Sequence, residues 1–187
     1  MLRSECKLRA IVADDLPKIL TWRNSERIRA NMYTDHVITP EEHRAWFDRV
    51  KGHKGSVFLL FEVQDRPVGL VYFTEIDTAN DRSNWGFYLG EENVPRGCGT
   101  ALGMLGLEYA FTQLKLRKLS GEAFAFNRAS LRFHEKLGFR EEGRFAEHVL
   151  KRGVYEDVFA FALFRQDWLS RRQALEEAAF EAGEVPA

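Results

Sequence analysis

Residues 95–103 read Pro-Arg-Gly-Cys-Gly-Thr-Ala-Leu-Gly and follow the apolar run Trp-Gly-Phe-Tyr-Leu at 85–89. A helical pattern of apolar residues continues from this stretch, so the local order is strand, glycine-bearing turn and helix start. The first N–H groups of a helix lack internal partners and carry partial positive charge, which favours an anion. Gly97 and Gly99 let the backbone approach a ligand closely, and Arg96 adds a full charge. The stretch therefore predicts a phosphate or pyrophosphate site.

The spacing of this turn excludes two common nucleotide loops. A Walker loop ends in Gly-Lys-Ser/Thr, and a Rossmann fingerprint needs a third glycine on the first βα unit. The turn instead matches Arg/Gln-x-x-Gly-x-Gly/Ala at Arg96, Gly99 and Ala101. That pattern resembles the acetyl-CoA pyrophosphate loop of the GCN5-related N-acetyltransferases, the GNAT family. The resemblance implies that the pyrophosphate lies on Arg96, Gly97, Cys98, Gly99, Thr100 and Ala101.

A second motif strengthens the resemblance. The family's usual form is Asn-x-x-Ala-x-x-x-Tyr-x-x-x-Gly-Phe, and residues 127–139 follow it with Ser130 for the alanine and His134 for the tyrosine. The family pattern extends to about Trp168 and implies acetyl-CoA as co-substrate. It also implies that the strand at Phe87, Tyr88 and Leu89 pairs with the pantetheine amides as an added strand would. Asn127, Ser130 and Phe133 are then expected near the thioester.

The composition predicts one domain and excludes several classes of protein. With 187 residues, 45% of them hydrophobic, the chain can bury a substantial core. A net charge of −1 gives no reason to expect nucleic acid or an anionic membrane as partner. No apolar run approaches the ~20 residues of a membrane helix, and the start lacks a signal core. We therefore expect a cytoplasmic protein, with its domain at 1–168 and a C-terminal surface helix at 169–187 that frays toward Pro186.

Cysteine and histidine usage gives no reason to expect a metal. Cys6 and Cys98 are too few for a disulfide scaffold or a zinc site, and the histidines lack ligand spacing. Cys98 is either a nucleophile or a small residue between two glycines, and the second interpretation is favoured because no histidine adjoins it in sequence.

The order of elements predicts an α/β fold with a mixed, mostly antiparallel seven-stranded sheet. A first strand and two helices precede a three-strand meander, which leads into the glycine turn. Asp14 is expected to cap the first helix, and residues 39–42, Thr-Pro-Glu-Glu, are expected to form a capping box. A strand at 118–125, a helix that stops at Gly138 and two further strands complete the pattern. The resemblance implies a sheet splayed between strands 4 and 5, with helices on both faces.

The expected mechanism is direct attack of a neutral amine on the thioester. His134 replaces the family's usual acid, and an imidazolium with a pKa of ~6.5 can donate the proton to the leaving thiolate. Alternatively, His134 packs on a helix face and Tyr88 or Tyr109 is the donor. Glu75, at a strand end, is the expected general base, with an exposed structural carboxylate as the alternative. A backbone N–H near Tyr88 or Leu89 would stabilise the oxyanion.

Three N-terminal segments suggest the acceptor. Residues 22–24 (Trp-Arg-Asn), 32–36 (Met-Tyr-Thr-Asp-His) and 41–47 resemble one subgroup of the family. That subgroup acetylates the 4-amino group of a UDP-4-amino-4,6-dideoxy sugar on the route to pseudaminic acid, a sugar of flagellin glycans. The resemblance implies a UDP-amino sugar as partner, with contacts from Arg23, Asn24, Tyr33, His36 and His43.

Physical arguments support the same residues. Arg23 and His36 can meet diphosphate oxygens, while Tyr33 or Trp46 can stack on a uracil or sugar face. Two rival functions stay open: acetylation of polyamines or protein N-termini, and a catalytically silent acyl-CoA-binding sensor. A monomer or a homodimer is expected.

Overall fold

The structure is a computed structural model that describes residues 1–180. Its strands are β1 (Cys6–Ala10), β2 (Val57–Val63), β3 (Arg66–Asp77), β4 (Arg82–Leu89), β5 (Lys118–Phe124), β6 (Arg140–Lys151) and β7 (Val154–Phe164). Its helices are α1 (Leu16–Asn24), α2 (Glu26–Arg29), α3 (Pro40–Val50), α4 (Cys98–Glu108), α5 (Arg128–Leu137) and α6 (Arg165–Ala179). The strands form one sheet in the order β1-β2-β3-β4-β5-β7-β6.

The sheet has a split between its two central strands. Every neighbouring pair is antiparallel except β4 and β5, which are parallel. These two strands pair only from Arg82–Lys118 to Asn84–Ser120, and beyond that point they part. The predicted seven-stranded sheet, splayed between strands 4 and 5, is therefore confirmed.

Helices cover both faces of the sheet, as predicted. On one face α4, α5 and α6 pack against the odd-numbered residues of β3 and β4, including Phe73 and Trp85. On the other face Ile19 and Trp22 of α1 and Ile28 of α2 pack against Leu60 and Leu70. This alternation of apolar side chains to opposite faces follows from the two-residue period of a strand.

The predicted helix ends are confirmed where the groups that form them are close in sequence. The backbone N–H of Thr39 donates to Glu42 Oε2 at 2.7 Å, and the N–H of Glu42 donates to Thr39 Oγ1 at 3.2 Å, which completes the capping box of α3. Gly138 ends α5 with a φ of 93°, a conformation that glycine adopts without strain. Asn127 caps α5 by accepting from the N–H of Ser130 at 3.1 Å.

Three local predictions were wrong. Asp14 does not cap α1; it lies in a 3₁₀ turn, and the next residue, Asp15, is bound by Arg9 of β1 at 2.7 Å. The loop predicted at 77–84 is shorter, because Arg82–Asn84 pair with both β3 and β5. Strands β3 and β4 are correspondingly longer than the apolar runs that predicted them.

The C-terminal helix is more than a surface element. It begins at Arg165, and its side chains Trp168, Leu175 and Ala179 are buried against the core. The boundary at residue 168 stays a prediction, and the expected fraying toward Pro186 lies outside the described residues. In residues 1–180 no helix is both long and apolar enough to span a membrane.

Candidate functional site

A cavity of about 760 Å³ passes through the split of the sheet. It is reached from the α4–α5 face past Gly99, Asn127 and Phe133, and from the α1–α3 face past Tyr72 and Tyr88. Residues from both faces of the sheet line one cavity here because β4 and β5 are no longer paired beyond Asn84. Two ligands that approach from opposite faces can therefore meet between these strands.

The glycine turn lies at one end of this cavity and opens α4. Gly97 is the residue before the helix and has a φ of 95°. The N–H of Ala101 donates to the carbonyl of Gly97 at 3.0 Å, so the helical hydrogen bonds begin there. No side chain among the described residues caps this end of α4. The N-terminal N–H groups of α4 thus have the geometry that an anion site requires, and pyrophosphate binding at this turn stays a prediction.

Side chains around this turn divide into two kinds. Cys98, Thr100 and Ala101 are buried, so they face a ligand through their backbone, while Arg96 is exposed. Burial raises the pKa of the Cys98 thiol, which favours the interpretation of Cys98 as a small packing residue. Lys136 of α5, which sequence reasoning missed, donates to Thr100 Oγ1 at 2.6 Å. It adds a second cation beside the anion site.

The remaining predicted cofactor residues line the cavity itself. They are Phe87, Tyr88 and Leu89 on β4 and Asn127, Ser130 and Phe133 at the start of α5. The rings of Phe87 and Phe133 pack at 4.7 Å and join the strand to the helix. Arg27 of α2 donates to the carbonyls of Leu89 and Gly90 at 3.0 and 2.8 Å, which fixes the end of β4.

His134 occupies a buried, fully bonded position. The indole N–H of Trp85 donates to its Nε2 at 3.3 Å, and its Nδ1 lies 2.9 Å from the carbonyl of Ser130. Because an indole can only donate and a carbonyl can only accept, the imidazole carries its proton on Nδ1. Burial lowers the pKa of His134 to about 4. The imidazolium expected from the sequence is therefore absent at neutral pH, and the alternative of a packed histidine fits this geometry.

The two tyrosines considered as alternative acids differ in position. Tyr109 packs on Phe73 with 5.7 Å between ring centres and lines neither cavity. Tyr88 lines the cavity in the split, and burial raises its pKa, so it remains a hydroxyl donor at neutral pH. Of these two, Tyr88 is the one that can face reacting groups.

Two carboxylates line the same cavity. Glu75 lies at a bulge of β3 with a φ of 51°, and its Oε2 accepts from Asn84 Nδ2 at 2.9 Å. Glu122 lies on β5, two residues beyond the last pair with β4, and accepts a hydrogen bond from the Tyr33 hydroxyl. Burial and this bond raise the pKa of Tyr33. Sequence reasoning missed Glu122, although a carboxylate in the interior of the strand at 118–124 was a signal.

A second cavity of about 680 Å³ adjoins the first on the α1–α3 face. Both cavities are lined by Met32, Tyr33, Tyr72 and Tyr88, so these residues form the wall between them. Aromatic rings form one wall: His43 stacks on Trp46 at 4.9 Å, Trp46 meets Phe58 at 4.9 Å, and Phe58 stacks on Tyr72 at 5.4 Å. The structure thus offers an aromatic wall next to the point where the sheet splits.

Four of the five predicted acceptor residues meet at this second cavity. They are Arg23, Tyr33, His36 and His43. His36 Nε2 lies 3.4 Å from Glu42 Oε1, and burial, followed by the charge of Arg23, lowers the pKa of His43. Asn24 lines neither cavity, because both ends of its amide bond the backbone of Ile38 at 2.8 and 2.9 Å. It holds the segment before α3 instead of contacting an acceptor.

Arg23 is incompletely satisfied at this cavity. Its Nη2 donates to the carbonyl of Thr34 at 2.8 Å, while its Nη1 is buried without a hydrogen-bond partner. Three other buried side-chain nitrogens in residues 1–180 lack a partner, but none belongs to a residue that lines a cavity. In the same range there is no group of three or more His, Cys, Asp or Glu side chains placed to hold a metal ion.

Comparisons with known proteins agree with this architecture. The profile of the family described as "Acetyltransferase (GNAT) domain" matches residues 6–140. An uncharacterized prophage-derived N-acetyltransferase of Bacillus subtilis is 28% identical, and the alignment covers 86% of this chain and 90% of the relative. Spermidine N(1)-acetyltransferase of Vibrio cholerae is 24% identical, covering 92% of this chain and all of the relative.

A solved structure shows the same fold. The spermidine N-acetyltransferase of Vibrio cholerae, crystallised with CoA and spermine, superposes with a TM-score of 0.84 at 23% identity. The superposition covers 89% of this chain and 99% of that structure.

Proposed function

The chain belongs to the GNAT acetyltransferase family and is an acetyl-CoA-dependent N-acetyltransferase; we propose that its acceptor is the primary amine of a small molecule. The observation that carries the proposal is the cavity through the split sheet. Acetyl-CoA reaches it from the α4 side, where the glycine turn receives the pyrophosphate. The acceptor reaches it from the α1–α3 side.

Glu122 is the proposed general base. Its carboxylate lies in the cavity where β4 and β5 have parted, on the strand opposite Tyr88. An amine that enters beside Tyr33 would displace the Tyr33 hydroxyl from Glu122 and give up a proton to that carboxylate. The hydroxyl of Tyr88 is the proposed donor near the leaving thiolate. Glu75 is less suited, because it lies beside the closed end of the split and is bonded by Asn84.

A polyamine is the acceptor that the comparisons favour. The spermidine enzyme of Vibrio cholerae aligns over its whole length, whereas none of the relatives named above supports a nucleotide-sugar acceptor. A polyamine carries several ammonium groups and needs separated carboxylates. Glu75 and Glu122 on the first cavity, and Glu42 on the second, are available for that role.

A UDP-linked amino sugar is the second candidate, and one observation favours it. The Arg23 side chain lines an aromatic-walled cavity and its buried Nη1 has no hydrogen-bond partner, an arrangement that suits a phosphate oxygen and a flat base. A polyamine would instead bring positive charge toward Arg23 and Arg49. The two candidates thus place opposite charges in the second cavity.

One screen tests the function and separates the acceptors. CoA release from acetyl-CoA is measured with spermidine, with a UDP-4-amino-4,6-dideoxy sugar and with the same sugar without UDP, using wild type and Arg23→Met. Arg23 also bonds the carbonyl of Thr34, so its loss can affect any acceptor through the loop, and the difference between acceptors is the informative quantity. If the UDP-sugar is the acceptor, Arg23→Met lowers its kcat/KM by ~1–3 kcal/mol more than that of the UDP-free sugar. If spermidine is the acceptor, spermidine is turned over and neither form of the sugar is. Absence of turnover with any amine would contradict the proposal and favour a silent acyl-CoA-binding protein.

The acetyl-CoA site can be tested at Gly99. A Cβ at this position would meet only Leu89 Cδ1, at 3.9 Å, so a side chain can start here without a clash at Cβ. The same side chain would fill the space in which the pyrophosphate approaches the backbone. We expect Gly99→Val to raise the CoA dissociation constant at least about tenfold, or ~1.4 kcal/mol, in isothermal titration.

Gly143→Val is the matched control for that measurement. Gly143 lies on β6, and a Cβ there has no heavy atom within 4 Å. It should bind CoA as wild type does. If the folded Gly99→Val variant binds CoA as tightly as wild type does, the glycine turn is not the pyrophosphate site.

A further inference from the structure

The loop at residues 31–36, called the acceptor loop below, forms the boundary between the two cavities. Met32 and Tyr33 line both cavities, while Thr34 and His36 line the second. The loop has no regular secondary structure, and three of its backbone carbonyls accept hydrogen bonds from side chains outside it. Whatever holds this loop therefore sets the shape of the space that an acceptor would fill.

Three cationic side chains bind three backbone carbonyls of the loop. Lys151 Nζ donates to Met32 O at 2.7 Å, Arg23 Nη2 to Thr34 O at 2.8 Å, and Arg29 Nη1 to Asp35 O at 2.6 Å. The two arginines come from α1 and α2, which precede the loop directly. Lys151 comes from the end of β6, 119 residues from Met32 along the chain. It lies outside both family motifs, at 96–101 and 127–139.

Lys151 is the most constrained of the three. It is 5% exposed, its Nζ lies 3.0 Å from Asp35 Oδ2, and it stands over the ring of Phe124 at 5.6 Å. Phe124 packs in turn against Tyr33, with 5.4 Å between ring centres, and Tyr33 is bonded to Glu122. A chain of contacts thus leads from the β6–β7 hairpin to the carboxylate in the split sheet.

We propose that Lys151 is a positioning residue for the acceptor, which rests on the proposed amine acetylation at the split. Its ammonium group fixes Met32 and Asp35 near the two ends of the acceptor loop, and so holds the Tyr33 ring against Phe124 at the edge of the cavity. A buried ammonium group needs both partners, because an unpaired charge or carbonyl in this position is costly. The hairpin β6–β7 therefore sets acceptor recognition, while the acetyl-CoA site at α4 is independent of it.

Hydrogen exchange of the free enzyme tests the proposal without any ligand. Lys151→Met keeps the apolar stem and removes the charge, and we expect faster amide exchange in residues 31–36. Lys151→Arg should restore protection, and Asp35→Asn, an exposed position, should give a smaller increase. Lys118→Met is the matched control: Lys118 pairs with Glu142 at 2.6 Å and stands over Phe164 at 5.6 Å, on a surface away from the loop.

Kinetic measurements then distinguish a positioning role of Lys151 from a general loss of stability. With whichever of spermidine and the UDP-amino sugar is turned over, Lys151→Met should raise the acceptor KM at least about tenfold, with unchanged CoA affinity. Wild-type exchange of residues 31–36 in Lys151→Met, or an equal effect of Lys118→Met, overturns the proposal. If no acceptor is turned over, the exchange measurement still tests the role of Lys151. In that case only the proposed function is contradicted.

Discussion

Replacing Glu122 by glutamine is expected to lower kcat by about 10²–10⁴-fold, the range over which a positioned general base contributes. An alkyl amine is almost wholly protonated at neutral pH, and only the neutral amine can attack a thioester. Glutamine keeps the size of Glu122 and can still accept from the Tyr33 hydroxyl, but it cannot take up a proton. The loss therefore falls on the chemical step, with little effect on the affinity for acetyl-CoA.

The pH dependence of the rate shows whether Glu122→Gln has lost a general base. Without a base, only amine that is already deprotonated in solution reacts, so the residual rate of Glu122→Gln should rise continuously with pH. Glu75→Gln is the matched control, because Glu75 lines the same cavity but is held by Asn84. A loss that is larger for Glu75→Gln than for Glu122→Gln would return the role of base to Glu75, the residue that the sequence suggested.

The second large effect concerns stability and pH at His134. A histidine in the unfolded chain titrates near ~6.5, whereas burial lowers the pKa of His134 to about 4 in the folded protein. Between these values the unfolded chain binds more protons, so the free energy of unfolding falls as the pH falls. The stabilisation linked to His134 is fully present above pH ~6.5. Roughly 3 kcal/mol of the free energy of unfolding is lost by pH ~4.

His134→Phe tests this effect by urea unfolding at a series of pH values. The variant has no titrating ring, so its stability should fall less steeply than that of wild type between pH ~6.5 and ~4. At pH 7 it should be about 1–3 kcal/mol less stable, because the buried N–H of Trp85 loses its acceptor. His148→Phe, at an exposed site on β6, should retain the wild-type slope. Identical slopes for wild type and His134→Phe would show that this imidazole is not held neutral by the fold.

Local sequence determined those features whose partners are few residues apart. The capping box of α3, the cap of α5 by Asn127 and the stop at Gly138 each involve groups three or four residues apart or a single φ angle. The glycine turn belongs to the same class, because the anion site at α4 is made of its own backbone. Period-two apolar runs gave the strands, and the family resemblance supplied their arrangement around the split.

Only the tertiary structure decided how charged groups are partnered. Glu122 gains its place from the parting of β4 and β5, and Lys151 meets the acceptor loop across 119 residues of chain. Trp85, 49 residues away, determines which nitrogen of His134 carries the proton, and burial makes that imidazole neutral. A local pattern shows which residue types are present. The protonation state of each side chain, and whether it can contact a ligand, depend on its neighbours in space. For that reason the fold could be predicted from the sequence, and the acetyl-CoA site could be proposed from it, whereas the proposed base, the neutral histidine and the support of the acceptor loop could not.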